Sequence, residues 1–122
     1  ENLPAVAADA KQMQQVFINL ITNAADAIKN RGIITIKTYH EVDSKPGEIQ
    51  YAVVSITDTG EGIQAEDLPK IFNPFFTRKA DGTGLGLPIT QRILHQHSGI
   101  IDVESNPGHG TTFYVKLPVP KY

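Results

Sequence analysis

The stretch "DAKQMQQVFINLITNAADAIKN" (9–30) limits the possible folds more than any other part of this chain. Its apolar residues Met13, Val16, Phe17, Leu20, Ile21, Ala24 and Ile28 recur at helical spacing and form one stripe along a helix. Asp9 is placed to cap the start of that helix, and Asn30 and Gly32 to end it. A helix with a single apolar stripe must lay it against another layer. That layer follows at once. "GIITIKTYHEV" (32–42) alternates, with Ile34, Ile36 and Thr38 on one face and Ile33, Thr35 and Lys37 on the other. "IQYAVVSITD" (49–58) reads as a second strand, joined to the first by the hairpin loop "DSKPGE".

The rest of the chain repeats this order. "TGEGIQ" is a turn, "AEDLPKIF" (65–72) a short helical piece containing Pro69, and "NPFFTRKADGTG" (73–84) a loop. "LGLPITQRILHQHSG" (85–99) is a second long helix, with Pro88 tolerated in its first turn. "GIIDVESNPGHGTTFYVKL" (99–117) gives two strands around the turn "NPGHG". Together these predict an α+β fold, a two-layer α/β sandwich with helices on one face of a mixed, mostly antiparallel sheet. With 122 residues, no repeat and no linker, the chain reads as one domain, 1–122. It opens without a methionine and is expected to be a fragment of something longer. Eleven basic residues against 13 acidic ones give no electrostatic reason to expect nucleic acid or an anionic membrane as a partner. The absence of cysteine excludes disulfides and thiolate metal sites and fits a cytoplasmic location. No apolar run approaches the ~18 residues of a membrane span.

Two glycine motifs invite phosphate chemistry. "GEGIQA" (60–65) follows a strand in the dinucleotide pattern, but Asp58 would face the pyrophosphate and Pro69 interrupts the helix that should follow. "DGTGLGL" (81–87) lacks the lysine of a P-loop, yet its glycines let backbone N–H groups approach an anion at the start of the second helix.

Read together, "NLITNAADA" (19–27), "DTGEGI" (58–63), "IFNPFF" (71–76), "GTGLGL" (82–87) and "GHGTTF" (108–113) resemble, in order, the N, G1, F, G2 and terminal G boxes of the sensor histidine kinase catalytic domain. That domain belongs to a superfamily shared with gyrase, a heat-shock chaperone and mismatch-repair ATPases, and its fold is of the Bergerat type. "NPFFTRKADGTGLGL" is further similar to the short-lid, nitrogen-regulation subgroup. The resemblance implies ATP and Mg²⁺ as cofactors. Asn23 would be the Mg²⁺ ligand, and Asn19, one turn earlier on the same face, would support the metal or the phosphates, with Gln15 on that face too. Asp58 would accept the exocyclic amino group of adenine and reject the carbonyl of guanine. Gly60 and Gly62 would let the backbone pass under the base, and Ile63 would form an apolar wall, with Ile71 either a wall or core. Thr111 would join Asp58 around adenine, with Thr112 the alternative because adjacent strand residues face opposite ways. Phe72, Phe75 and Phe76 would anchor a mobile loop, the ATP lid, with Phe76 against the nucleotide. Lys79, or alternatively Arg78, would reach the β- and γ-phosphates. Gly82, Thr83, Gly84, Leu85, Gly86 and Leu87 would wrap the triphosphate.

ATPases of that superfamily carry a glutamate four residues before the Mg²⁺ asparagine, as base for the attacking water. Here the position holds Asn19, whose amide cannot accept the proton, and this favours transfer to a histidine over hydrolysis. The catalytic residues would be Asn19, Asn23 and Lys79. None of the chain's own histidines fits as acceptor. In "HEVDSKP" (40–46) the proline stands one residue too far on and His40 ends a strand, His97 reads as a capping or packing residue, and His95 and His109 as surface. The acceptor bundle is therefore expected in another part of the parent, with a response regulator downstream. This fragment is expected to be monomeric, to make no membrane contact and not to phosphorylate itself. The alternatives are an ATPase conformational switch of the same superfamily and a non-catalytic nucleotide sensor.

Overall fold

A computed structural model describes residues 9–41, 50–76 and 85–119. The expected hairpin loop at 43–48 lies outside the described residues. Helix α1 (Ala10–Ala27) is followed by strands β1 (Ile34–Glu41) and β2 (Tyr51–Asp58), helix α2 (Gly86–Gln96) and strands β3 (Ile100–Asn106) and β4 (Gly110–Pro118). The strands form one sheet in the order β1-β2-β4-β3, and every pairing among the described residues is antiparallel.

The stripe read from the sequence is the one that α1 buries. Met13, Val16, Leu20 and Ala24 pack with Ile56 of β2, Phe113, Val115 and Leu117 of β4, and Ile93 and Leu94 of α2. Removing a side chain such as Leu20 from water stabilises the fold by roughly 1.5–3 kcal/mol. Asp9 caps α1 as expected, its Oδ1 accepting the Gln12 N–H at 3.1 Å.

The helix stops earlier than Asn30 and Gly32 suggest. Its last residue is Ala27, and Ile28 is already extended. The Ala27 carbonyl accepts the N–H of Glu61 at 3.1 Å, so the loop after β2 takes over the end of the helix. The helical reading of 65–72 shrinks to a single 3-10 turn, Leu68–Lys70. Pro69 removes a donor, and the segment advances through three-residue steps instead: Lys70 N–H to Asp67 O at 2.8 Å, Asn73 N–H to Lys70 O at 2.9 Å and Phe76 N–H to Asn73 O at 3.2 Å. In β1 the alternation holds for Ile34 and Thr38, but Ile36 on the same face is 51% exposed, because this strand lies at the sheet edge, away from α2.

Candidate functional site

The last residue of β2 is Asp58, and its ladder partner on β4 is Thr111. Both face the helices, and they are 4% and 5% exposed. The Asp58 carboxylate accepts the Gly60 N–H at 2.8 Å and a further bond from the Thr111 backbone. Burial nevertheless wins, and the carboxyl titrates above its usual 3.8, against the two backbone bonds that pull it down. Thr112 is one residue on and points to the opposite face, where its hydroxyl meets that of Thr57 at 3.0 Å. Strand alternation thus corrects the alternative drawn from the sequence: Thr111 shares a face with Asp58, and Thr112 does not.

Glycine builds the walls by removing Cβ atoms that have no room. A Cβ on Gly60 would sit 2.5 Å from the Ala27 carbonyl oxygen. One on Gly62, at φ 74°, would sit 2.3 Å from the Asn106 oxygen, and one on Gly110, at φ 100°, would sit 2.0 Å from the Asp58 oxygen. The loop after β2 is thereby pressed between the end of α1 and the β3–β4 turn. Besides the Glu61 bond to Ala27, two bonds hold it there: Gly108 N–H to Glu61 O at 2.8 Å and Ile63 N–H to Ser105 Oγ at 2.7 Å. Ile63 is half-buried and packs against the core, whereas Ile71 is buried within it.

Ser105 was not singled out in the sequence. Its signal is a hydroxyl at an inward position of β3, after Ile101 and Val103, where the alternation calls for an apolar residue. Besides Ile63, its Oγ reaches the Gly110 carbonyl at 3.0 Å and the Thr111 Oγ1 at 2.8 Å.

On the other side of the site, Asn19 and Asn23 lie on one face of α1. Asn23 is half-buried and engaged. Asn19 is a clamp between the helices. Its Nδ2 donates to the Gly86 carbonyl and to Thr90 Oγ1, both at 3.2 Å, and its Oδ1 accepts from Gln15 Nε2 at 2.9 Å. Thr90 is fully buried and returns its own hydroxyl hydrogen to Gly86 O at 2.9 Å. Leu85 precedes α2 at its N-cap, Gly86 opens the helix, and Leu87 packs against the core. Phe72 and Phe76 also pack against the core, while Phe75 is 73% exposed at φ 69° and anchors nothing. Arg78, Lys79, Gly82, Thr83 and Gly84 lie outside the described residues.

His40 and His97 sit away from this cluster. His40 Nε2 lies 2.9 Å from Gln50 Oε1 on the exposed edge strand. His97 ties the two helices at their far ends. Its Nδ1 lies 2.8 Å from the Ile93 carbonyl, and its Nε2 accepts the Asp9 N–H at 3.1 Å.

Residues 8–121 match the family model described as histidine kinase-, DNA gyrase B- and HSP90-like ATPase. The sensor histidine kinase ZraS of Klebsiella oxytoca is 45% identical over 114 residues, which cover 93% of this chain and 23% of that protein. The chain therefore spans about a quarter of such curated relatives. The nucleotide-free catalytic domain of the histidine kinase ThkA superposes with a TM-score of 0.75 at 37% identity, over 93% of this chain and 70% of that one. Full-length ShkA in complex with AMPPNP gives a TM-score of 0.78 at 27% identity, over 98% of this chain and 24% of that one. With its buried carboxylate, its glycine-built walls and this likeness along nearly its whole length, the chain belongs to the histidine kinase-, DNA gyrase B- and HSP90-like ATPase family, as an ATP-binding catalytic domain of the sensor histidine kinase kind.

Proposed function

We propose that this domain holds Mg²⁺-ATP and passes the γ-phosphoryl group to a histidine on a separate helical bundle of its parent protein, from which a response regulator then receives it. Two groups carry the reading: a buried carboxylate, Asp58, on the base side, and an amide, Asn19, where a hydrolysing relative would need a carboxylate. Asp58 accepts hydrogens from the adenine amino group, and Thr111 stands beside it. Ile63 forms a wall against the base, and Phe76 closes the pocket from the lid side. The crystallised complex of ShkA with AMPPNP supports an adenine nucleotide in this site.

The donor set fits Mg²⁺. Among the described residues there is no cluster of three or more His, Asp or Glu side chains. Asn23 offers one hard amide oxygen, and Mg²⁺ takes most of its ligands from water and phosphate. Bound there, the ion would supply charge neutralisation on the phosphates. Lys79 would add a point charge, and we assign the backbone of Gly82, Thr83, Gly84 and Gly86 to the anion, beside the N-terminus of α2. Asn19 holds that N-terminus through Gly86 and takes no proton, since an amide is not basic. Water is left without a base, whereas a neutral imidazole needs none. No helix among the described residues is long and apolar enough to cross a membrane, and we place the domain on the cytoplasmic side of its parent, working as a monomer.

Calorimetric titration with AMPPNP and with its guanine counterpart, with and without Mg²⁺, tests the site. Saturable, Mg²⁺-assisted and adenine-selective binding is expected, and Asp58→Asn should weaken it far more than Lys79→Ala. An acceptor bundle supplied in trans should then gain acid-labile phosphohistidine from ATP. Equal affinity for both bases would refute the base pocket, and fast ATP hydrolysis without any acceptor would refute the transfer reading.

A further inference from the structure

Ser105 makes three contacts, and a hydroxyl has one hydrogen and two lone pairs. Ile63 N–H can only donate, so it takes one lone pair at 2.7 Å. The Gly110 carbonyl can only accept, so it takes the single hydrogen at 3.0 Å. The contact to Thr111 Oγ1 at 2.8 Å is then left with one arrangement, in which Thr111 is the donor and Ser105 the acceptor. With the Gly110 bond made, this assignment gives each contact of Ser105 one donor and one acceptor, and in a site whose Thr111 is 5% exposed an unmade bond is costly.

The consequence falls on Thr111. Its hydrogen is committed to Ser105, so toward the nucleotide it offers lone pairs only. Asp58, its ladder partner, also offers lone pairs only when ionised. We propose that Ser105 sets the hydrogen-bond polarity of the base pocket: by taking the Thr111 hydrogen it leaves Asp58 and Thr111 as two acceptors for the two hydrogens of a 6-amino group, which a 6-oxo group would meet with lone pairs of its own. Ser105 does this without touching the base and is a positioning residue. The inference rests on the adenine-pocket reading above.

The test is the ratio of two affinities. AMPPNP and its hypoxanthine counterpart differ at position 6 and at the protonation of ring N1, and both are titrated against the wild-type domain with Mg²⁺. In Ser105→Ala the Thr111 hydroxyl is released to rotate and donate, so preference for the 6-amino nucleotide should narrow about tenfold. Ser105→Thr keeps the hydroxyl and should keep the preference. Thr111→Val removes the acceptor and should narrow the ratio too, and adding Ser105→Ala to it should change the ratio no further. A purely structural serine would weaken both nucleotides by one common factor and leave the ratio intact, and that result in Ser105→Ala overturns the inference. Should Ser105→Ala fail to fold, an unchanged ratio in Thr111→Val overturns it equally. A wild-type domain that binds both nucleotides alike would instead overturn the adenine pocket itself, so the two failures are distinct.

Discussion

Replacing Asn19 by aspartate changes almost no volume but turns a donor into an acceptor where two acceptors wait. In the wild type Nδ2 donates to Gly86 O and Thr90 Oγ1, both at 3.2 Å, and Thr90 spends its own hydrogen on Gly86 O. Asn19→Asp loses both bonds, at about 1 kcal/mol each, and leaves the partly buried Gly86 carbonyl facing an oxygen, which adds about 1 kcal/mol more. The Gln15 contact survives, since a carboxylate accepts as the amide did. The total of about 3 kcal/mol is a large share of the 5–15 kcal/mol that holds a domain of this size together. For 122 residues it corresponds to a fall in melting temperature of about 10–12 °C, at about 4 °C per kcal/mol. The sign with pH is fixed by the same geometry. The surrounding acceptors raise the folded-state pKa of the introduced carboxyl above its unfolded value, and only its protonated form can donate. The deficit is therefore full at pH 8 and shrinks as pH falls through that raised pKa. Thermal denaturation of both proteins at pH 8 and pH 5 measures it. Equal melting temperatures at pH 8 would refute the clamp, and a deficit that grows on acidification would refute the assignment of donor and acceptor.

Asp58 titrates above 3.8 because it is buried, so its ionised form is disfavoured in the fold, and the unliganded protein gains stability from it as pH falls from the folded pKa toward 3.8. Nucleotide affinity runs the other way and drops over the same window, because the amino group of the base needs the ionised carboxylate; titrations compared with Asp58→Asn, which should show neither trend, isolate the contribution. Gly110→Ala places a Cβ 2.0 Å from the Asp58 carbonyl oxygen at φ 100°, and it should cost more than about 3 kcal/mol, visible as loss of cooperative melting. His97→Ala removes the acceptor of the Asp9 N–H and the donor to Ile93 O, for about 1–2 kcal/mol; ring ¹⁵N shifts of the wild type should show a neutral imidazole protonated at Nδ1, the form that makes both bonds.

The elements were legible where the signal is local. The 3.6-residue stripe of α1 and the alternation of β3 and β4 reflect one face of each element meeting one core, and the sequence carries that pattern directly. The errors arise where a distant residue decides. Nothing near Ala27 announces that its carbonyl is taken by Glu61, so the sequence points to a helix end at Asn30. Thr111 and Thr112 stayed open until the register with Asp58 and Thr57 set their faces. The family likeness gives Asn19 as support for metal or phosphate, a role that nothing in the structure overturns, while its partners Gly86 and Thr90 come to it only when α2 docks. Ser105 was legible in principle, as one hydroxyl in an inward apolar row, but its meaning lies in three atoms on two other segments.

These long-range contacts divide the site into two halves of different stiffness. The base half is made of ladder neighbours, with three glycines whose added Cβ atoms would overlap carbonyl oxygens at 2.0–2.5 Å and a loop tied down by Ala27, Ser105 and Gly108. Close-packed backbone of this kind cannot shift by part of an ångström without breaking a hydrogen bond, so this half of the site is stiff. The phosphate half is built differently. Asn23 rides on α1 and Gly86 opens α2, and these helices are joined there through the amide of Asn19, where the nearest of the described atoms to a Cβ on Gly86 would be Asn19 Cγ at 3.9 Å. That joint has room to adjust. Under the transfer reading proposed above, a base held in the stiff half and phosphates held at the helix joint would suit an acceptor on another domain.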